Sequence, residues 1–269
     1  MKIVLSKNKL IKYIHKEKNL GFVPTMGALH LGHLSLIKKC KSQCDKTIVS
    51  IFINKPQFHR INDFKNYPRT FTKDIKKLRD LKIDYLYLPS NNQIYPNGHN
   101  KNIKISSFGN KLCGKTRPGH FKAVVDVVER FVKIISPRKI YLGKKDFQQL
   151  KIIEDYFIKK NIKTKVIACN TIRENNGLAY SSRNLLLSPS KKKMASKVIK
   201  LIMNKKKDLI KKIITTKILK NKILKFGVKK IDYVEMIDIN KITKPFKKIK
   251  RYKIFIAYYI DSIRLIDNI

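Results

Sequence analysis

Short apolar runs alternate along the chain with longer stretches whose apolar positions recur at helical spacing, and this alternation predicts the fold. Residues 21–25 read as an apolar strand, followed by a helix over 33–44 that places Leu34, Ile37, Cys40 and Cys44 on one face. Residues 48–53 form a second strand, 72–81 a helix, and 83–88 a third strand stopped by Pro89. A strongly patterned helix over 121–135 turns Val124, Val128, Phe131 and Ile135 inward and ends at Pro137. A strand at 139–142 runs into Gly143, a helix over 147–160 carries Leu150, Ile153 and Phe157, and a further strand covers 164–168. Strands separated by helices indicate right-handed βαβ units, so the fold class is α/β with a doubly wound parallel sheet.

The grain changes after Glu174. Asn175-Asn176-Gly177 is a turn signal. Beyond Pro189 come two lysine-rich helices, from about Ser190 and about Lys207, and then three antiparallel strands at 232–237, 252–260 and 263–266. The predicted division is a nucleotide- and substrate-binding domain over 1–175 and a smaller α+β domain over 176–269.

Composition narrows the class. A chain of 269 residues with 43% apolar and 9% aromatic residues can bury a core of ordinary globular type. The longest apolar stretches, such as 254–260, are too short to cross a bilayer, and lysines break the N-terminal apolar run too early for a secretory signal. Cys40, Cys44, Cys113 and Cys169 have no C-x-x-C spacing, which suits buried thiols in a reducing cytoplasm. The formal charge of +44 attracts polyanions whatever its origin. Only ten of the 62 basic residues are arginine, and the lysines are scattered rather than gathered in one arm. The composition thus predicts neither a specific nucleic-acid partner nor a membrane one.

The chemistry concentrates first at Phe22-Val23-Pro24-Thr25-Met26-Gly27-Ala28-Leu29-His30-Leu31-Gly32-His33. A strand feeding a helix through a glycine turn presents backbone N–H groups to phosphate. Two imidazoles three residues apart share one face of the first helical turn and add donors for charge that develops on a phosphoryl oxygen. A second segment, Gly109 to Thr116, satisfies the phosphate-loop pattern G-x-x-x-x-G-K-[ST]. Its context is wrong, because Pro118 and Gly119 follow where the pattern needs a helix to begin.

Further polar clusters fall where a doubly wound sheet presents ligands. They are Asn54-Lys55-Pro56-Gln57-Phe58, Tyr67-Pro68-Arg69-Thr70 with Asp63 just before it, and Arg117-Pro118-Gly119-His120-Phe121. The series continues with Gly143-Lys144-Lys145-Asp146-Phe147-Gln148-Gln149 and Ser181-Ser182-Arg183-Asn184. The His-x-Gly-His pair resembles the nucleotidyl-transfer superfamily that includes class I aminoacyl-tRNA synthetases. The whole ordered set resembles the pantothenate synthetase (pantoate–β-alanine ligase) family, from about Leu20 to the Arg264-Leu265-Ile266-Asp267-Asn268 ending. Two departures are visible: Lys55 stands where that family usually has proline, which here has moved to Pro56, and Ala123 stands where the family often has glycine.

The resemblance implies a Rossmann-like N-terminal domain, a C-terminal α+β lid and a cytoplasmic homodimer. It implies condensation of pantoate with β-alanine driven by ATP and Mg²⁺ through a pantoyl adenylate. Carried over by position, Met26, Gly27, Ala28, Leu29, His30, Leu31, Gly32 and His33 would contact ATP, with His33 as proton donor. Gly143, Lys144, Lys145, Asp146, Ile172, Tyr180, Ser181, Ser182 and Arg183 would complete that site. His30, His33, Lys145 and Arg183 would neutralise phosphate charge. Gln57 and Gln149 would hold pantoate, Gln57 would also meet β-alanine, and Arg117 and His120 would serve substrate. Asp63 is the candidate for a metal contact through magnesium-ATP. Three rivals stand at this point: another nucleotidyltransferase, a phosphate-loop NTPase acting through Lys115, and a nucleic-acid-binding protein.

Overall fold

A computed structural model describes residues 1–242 and 249–269. The large sheet is built from β1 (Lys2–Val4), β2 (Leu20–Thr25), β3 (Lys46–Ile51), β4 (Tyr85–Tyr87), β5 (Lys139–Gly143) and β6 (Lys165–Cys169). Its order is β1-β4-β3-β2-β5-β6 and every neighbouring pair is parallel. The chain steps from β2 outward through β3 and β4, then returns to the other side of β2 for β5 and β6. The strand order therefore reverses between β2 and β5, where a doubly wound sheet opens its ligand crevice.

Alternation along the strands buries both faces. Phe22, Ile48, Tyr85, Tyr87 and Ile140 meet the helices Lys7–Ile14, His120–Ile135 and Phe147–Lys159 on one side. Val23, Val49, Leu86 and Tyr141 pack with Leu36, Ile37 and Cys40 of helix Leu31–Lys41 and Leu78 of helix Phe71–Asp80 on the other. A strand buried on both sides is mostly apolar, which is why these strands read as nearly continuous runs, with Thr25, Thr47 and Ser50 as buried polar exceptions.

The C-terminal part carries β7 (Lys230–Asp238), β8 (Tyr252–Ile260) and β9 (Ile263–Asn268), antiparallel in that order. Ile254, Ile256, Tyr258 and Ile260 face the helices Pro189–Ile210 and Thr216–Leu224. Phe255 and Ala257, on the opposite face of β8, join the core of the large sheet. The small sheet is thus packed on both sides.

One expectation needs correction. The second lysine-rich helix begins at Thr216, capped by the Thr215 hydroxyl, and not near Lys207, which lies in the last turn of the preceding helix. The helix breaks at Lys212, whose φ of +60° is left-handed, and no Gly or Pro announces that break. The N-terminal strand β1 and the helix Lys7–Ile14 add to the predicted elements; Ser6 caps that helix, and Leu10 and Ile14 anchor it.

The phosphate-loop pattern does not fold as one. It forms a single helical turn, Cys113–Thr116, with no strand leading into it, and the next long helix starts only at His120. A Cβ on Gly114 would lie 1.7 Å from the Gly109 carbonyl oxygen, so the glycine serves chain crossing, not phosphate approach. Gly114→Ala is predicted to cost about 1–3 kcal/mol by overpacking. At roughly 2–4 °C per kcal/mol, thermal unfolding would show a clearly lowered midpoint. An unchanged midpoint would mean that this crossing is loose.

Candidate active site

A cavity of about 280 Å³ opens at the C-terminal ends of β2 and β5, and the separate sequence clusters meet around it. Its lining includes Met26, His30, Gly32 and His33 from the first motif, and Gln57 from the turn after β3. Arg117 and His120 line it from the entry to helix His120–Ile135, and Gly143, Lys145, Asp146 and Gln149 from the end of β5. Ile172, Tyr180, Ser181, Ser182 and Arg183 complete the wall.

The expected residues Gly27, Ala28, Leu29, Leu31 and Lys144 are not on that wall. Gly27 and Ala28 make a turn with two successive left-handed residues, φ +80° and +50°. The Ala28 and Leu29 amides, the groups expected to receive phosphate, both donate to the buried Asp74 carboxylate at 2.8 Å. The Thr70 hydroxyl donates to Asp74 as well, and Lys77 donates to the Leu29 carbonyl. Helix Phe71–Asp80 therefore braces the nucleotide motif from behind. Leu31 points to solvent, and Lys144 donates to Asn170 at 2.8 Å.

The two imidazoles stack at 4.0 Å between ring centroids, and Tyr180 stacks with its centroid 6.1 Å from that of His30. His33 Nδ1 accepts from the His30 backbone N–H at 3.4 Å, which leaves the proton on Nε2 and makes that atom a donor. Buried His30 Nδ1 has no partner among the described residues. Burial lowers His30 to about 2, with His33, Lys145 and Lys77 adding repulsion. Burial also lowers His33 to about 4, partly offset by Asp146 and reinforced by Lys145 and Lys77. Both rings are neutral at pH 7, so they serve as N–H donors and not as cationic acids.

The Gln57 loop is tightly held. Buried Asn54 donates to the Gln57 side chain and to the Ala123 carbonyl, and accepts from the Tyr95 hydroxyl at 2.7 Å. The Gln57 amide group donates to the Met26 sulfur. The Gln57 carbonyl accepts from Arg117 at 2.9 Å and from His120 Nδ1 at 2.7 Å, while His120 Nε2 accepts from Arg117. Pro56 sits at the start of the single turn Lys55–Gln57, where its fixed φ is compatible, so the shifted proline still leaves Gln57 on the cavity wall. Burial and the nearby Arg183 and Arg264 lower Arg117 to about 10, a sign of guanidinium groups converging on one region.

Asp63, the candidate for a metal contact, is engaged by an arginine. Both its oxygens accept from Arg183, at 3.2 and 2.8 Å. Among the described residues no group of three or more His, Cys, Asp and Glu side chains is arranged to hold a metal ion. Sequence reasoning missed Asp74, Asn54 as a structural anchor, Arg264 on the cavity wall, and Gln148. The last holds the loop around residue 111 by donating to the Phe108 and Lys111 carbonyls at 2.7 Å.

Comparison with known proteins identifies the family. The family model described as pantoate-beta-alanine ligase matches residues 2–269. The pantothenate synthetase of Sulfurihydrogenibium sp. (strain YO3AOP1) is 40% identical over 258 residues, covering 94% of this chain and 92% of that one. That of Francisella philomiragia is 40% identical over 262 residues, covering 97% and 93%. The crystal structure of the Francisella tularensis pantoate-beta-alanine ligase, complexed with beta-gamma ATP and beta-alanine, has a TM-score of 0.83 at 36% identity and covers 100% of this chain and 97% of that one. The crystal structure of the Thermus thermophilus pantothenate synthetase has a TM-score of 0.88 at 28% identity, covering 100% and 99%. With its family model matched almost end to end and relatives similar over nearly their whole length, the chain belongs to the pantoate-beta-alanine ligase family.

Proposed function

We propose that this cavity is where ATP activates pantoate and where β-alanine then displaces AMP. The reaction of the chain is the ATP-dependent condensation of pantoate with β-alanine to pantothenate, AMP and pyrophosphate. A carboxylate is a poor electrophile toward an amine at neutral pH. Attack of a pantoate carboxylate oxygen on the α-phosphorus of ATP forms the acyl adenylate and releases pyrophosphate. The β-alanine amine, having lost its proton, then attacks the acyl carbon and AMP departs. Neither step needs a covalent enzyme intermediate, so the protein's tasks are orientation and stabilisation of phosphate charge.

The observation that carries the site assignment is one cavity wall shared by the His30–His33 pair, Lys145 and Gln57. In this reading His33 Nε2–H and Lys145 donate to phosphate oxygens as charge builds, and the His30 ring, stacked on His33, lines the nucleotide's side of the cavity. Gln57 and Gln149 orient pantoate, with the Arg117–His120 pair fixing the Gln57 carbonyl. Arg183 leaves Asp63 to reach the phosphates when the Ser181 loop closes, and residues 176–269 act as the lid over residues 1–175. Among the described residues the carboxylates do not gather into a metal site: Asp63 and Asp267 are each paired with an arginine, Asp74 accepts three protein donors, and Asp146 stands on the wall beside Lys145. Magnesium in this proposal arrives with ATP as part of the substrate, and no step is routed through it. The family resemblance further leads us to place the enzyme in the cytoplasm as a homodimer.

His33→Ala is expected to slow pantoate-dependent pyrophosphate release by about 10²–10³ while leaving the melting midpoint near wild type. Near-normal release would remove His33 from the mechanism. Lys115→Ala is expected to retain wild-type turnover, because Lys115 lies on an exposed turn outside the cavity wall. ADP and phosphate as products, lost in that variant, would instead favour a phosphate-loop enzyme.

The depressed histidines also set a pH window for stability. The unfolded chain takes up a proton near the ordinary value of 6.5, whereas His33 in the folded chain does so only near 4. Stability from this residue is therefore complete above pH 6.5 and is lost as pH falls toward 4. Melting curves should show a shallower decline across that window for His33→Asn than for wild type. Parallel curves would show that His33 is not held neutral by burial.

A further inference from the structure

The reading above gives Lys145 its task, but nothing in β5 itself fixes where that lysine stands. Lys145 belongs to a single turn, Lys144–Asp146, between the strand and helix Phe147–Lys159. The carbonyls of Lys144 and Lys145 both accept from one group, the Nδ2 of Asn268, at 2.9 and 2.7 Å. Asn268 is the last residue of β9, in the small sheet, and is 4% exposed. Its Oδ1 accepts from Lys253 Nζ at 2.7 Å, from the neighbouring strand β8.

An amide is the side chain that meets this demand, with two N–H donors for two carbonyls and one acceptor for an ammonium. A carboxylate would turn an oxygen toward two carbonyl oxygens. The backbone beside it is also pinned. Asp267 pairs with Arg173 at 2.6 and 3.0 Å and accepts from the Asn268 N–H at 2.7 Å. Lys253 is enclosed enough that burial, with Lys206 and Arg251, lowers it to about 8, so its bond to Asn268 is not an exposed, water-screened contact.

We propose that Asn268, backed by Lys253, is a positioning residue for Lys145. The small domain would thereby set the geometry of a phosphate-binding lysine in the large one, in addition to covering the cavity. This inference rests on the reading of Lys145 given above. Its consequence is energetic coupling: once Lys145 is gone, the clamp has nothing left to position.

The test is a double-mutant cycle on the full-length enzyme, with adenylate formation followed by single-turnover chemical quench. Asn268→Asp keeps the size and the Lys253 contact but removes the donors. It is expected to slow adenylate formation by about 10–10², with the KM for β-alanine close to wild type and the melting midpoint lowered, because two buried carbonyls lose their donors. In a Lys145→Ala background, itself slowed by about 10²–10³ and still measurable by quench, the same substitution should cost nothing further. An equal loss in both backgrounds, or no loss in either, overturns the proposal for Asn268. A Lys145→Ala enzyme with wild-type adenylation overturns the reading of Lys145 instead, so the two failures are separable. Should Asn268→Asp fold poorly, Lys253→Gln carried through the same cycle tests the same coupling from the far side of the amide.

Discussion

The arrangement depends on how far β2 stays paired with each of its neighbours. Against β3 the ladder runs the whole strand, from Leu20–Lys46 to Thr25–Ile51. Against β5 it has rungs at Gly21–Lys139 and Phe22–Ile140 and goes no further. Pro24 brings no N–H to a ladder, and the strand order reverses at this pair. The C-terminal halves of β2 and β5 are therefore free to part. The imidazole motif leaves one lip of the opening and the lysine turn the other. A cavity built on a sheet buried on both faces inherits the rigidity of that sheet, which suits chemistry that relies on positioning.

Each lip is held by a contact made out of sight of the cavity. Behind the first, Asp74 takes the amides of a turn that has two consecutive left-handed residues. Behind the second, Asn268 takes the carbonyls of the turn that carries Lys145. In both cases a buried polar side chain satisfies backbone groups that would otherwise be free to rearrange or to bind water. The result is that the amides of Ala28 and Leu29 are taken up behind the wall.

Electrostatics follows from the same enclosure. Histidines that burial and nearby lysines keep neutral can donate hydrogen bonds without adding to an already basic site. The arginines nearby arrive with partners, Asp63 for Arg183 and Asp232 for Arg264. Pairing of this kind offsets part of the repulsion among these guanidinium groups, which still lowers Arg117. The scattered surface lysines play no part in that balance.

Most of the large domain was legible because strands buried on both faces and helices with one apolar stripe leave distinct patterns, as in residues 48–53 and 121–135. The clusters around His30, Gln57, Lys145 and Arg183 were legible as motifs, and family likeness ordered them into one site. Asp74 was not, since an acid in a helix's first turn looks like an ordinary dipole partner until Ala28 and Leu29 are folded onto it. The Asp63–Arg183 pair was not legible because its two members lie 120 residues apart. The helix start at Thr216 was hidden by a break without Gly or Pro. The measurement that bears most directly on the account is a crystal structure with a non-hydrolysable ATP analogue and pantoate bound. It should show the phosphates lying between the His30–His33 pair and Lys145, with the pantoate carboxylate near the α-phosphorus. Phosphates seated on the Gly109–Thr116 segment, or in a crevice that excludes either lip, would contradict it.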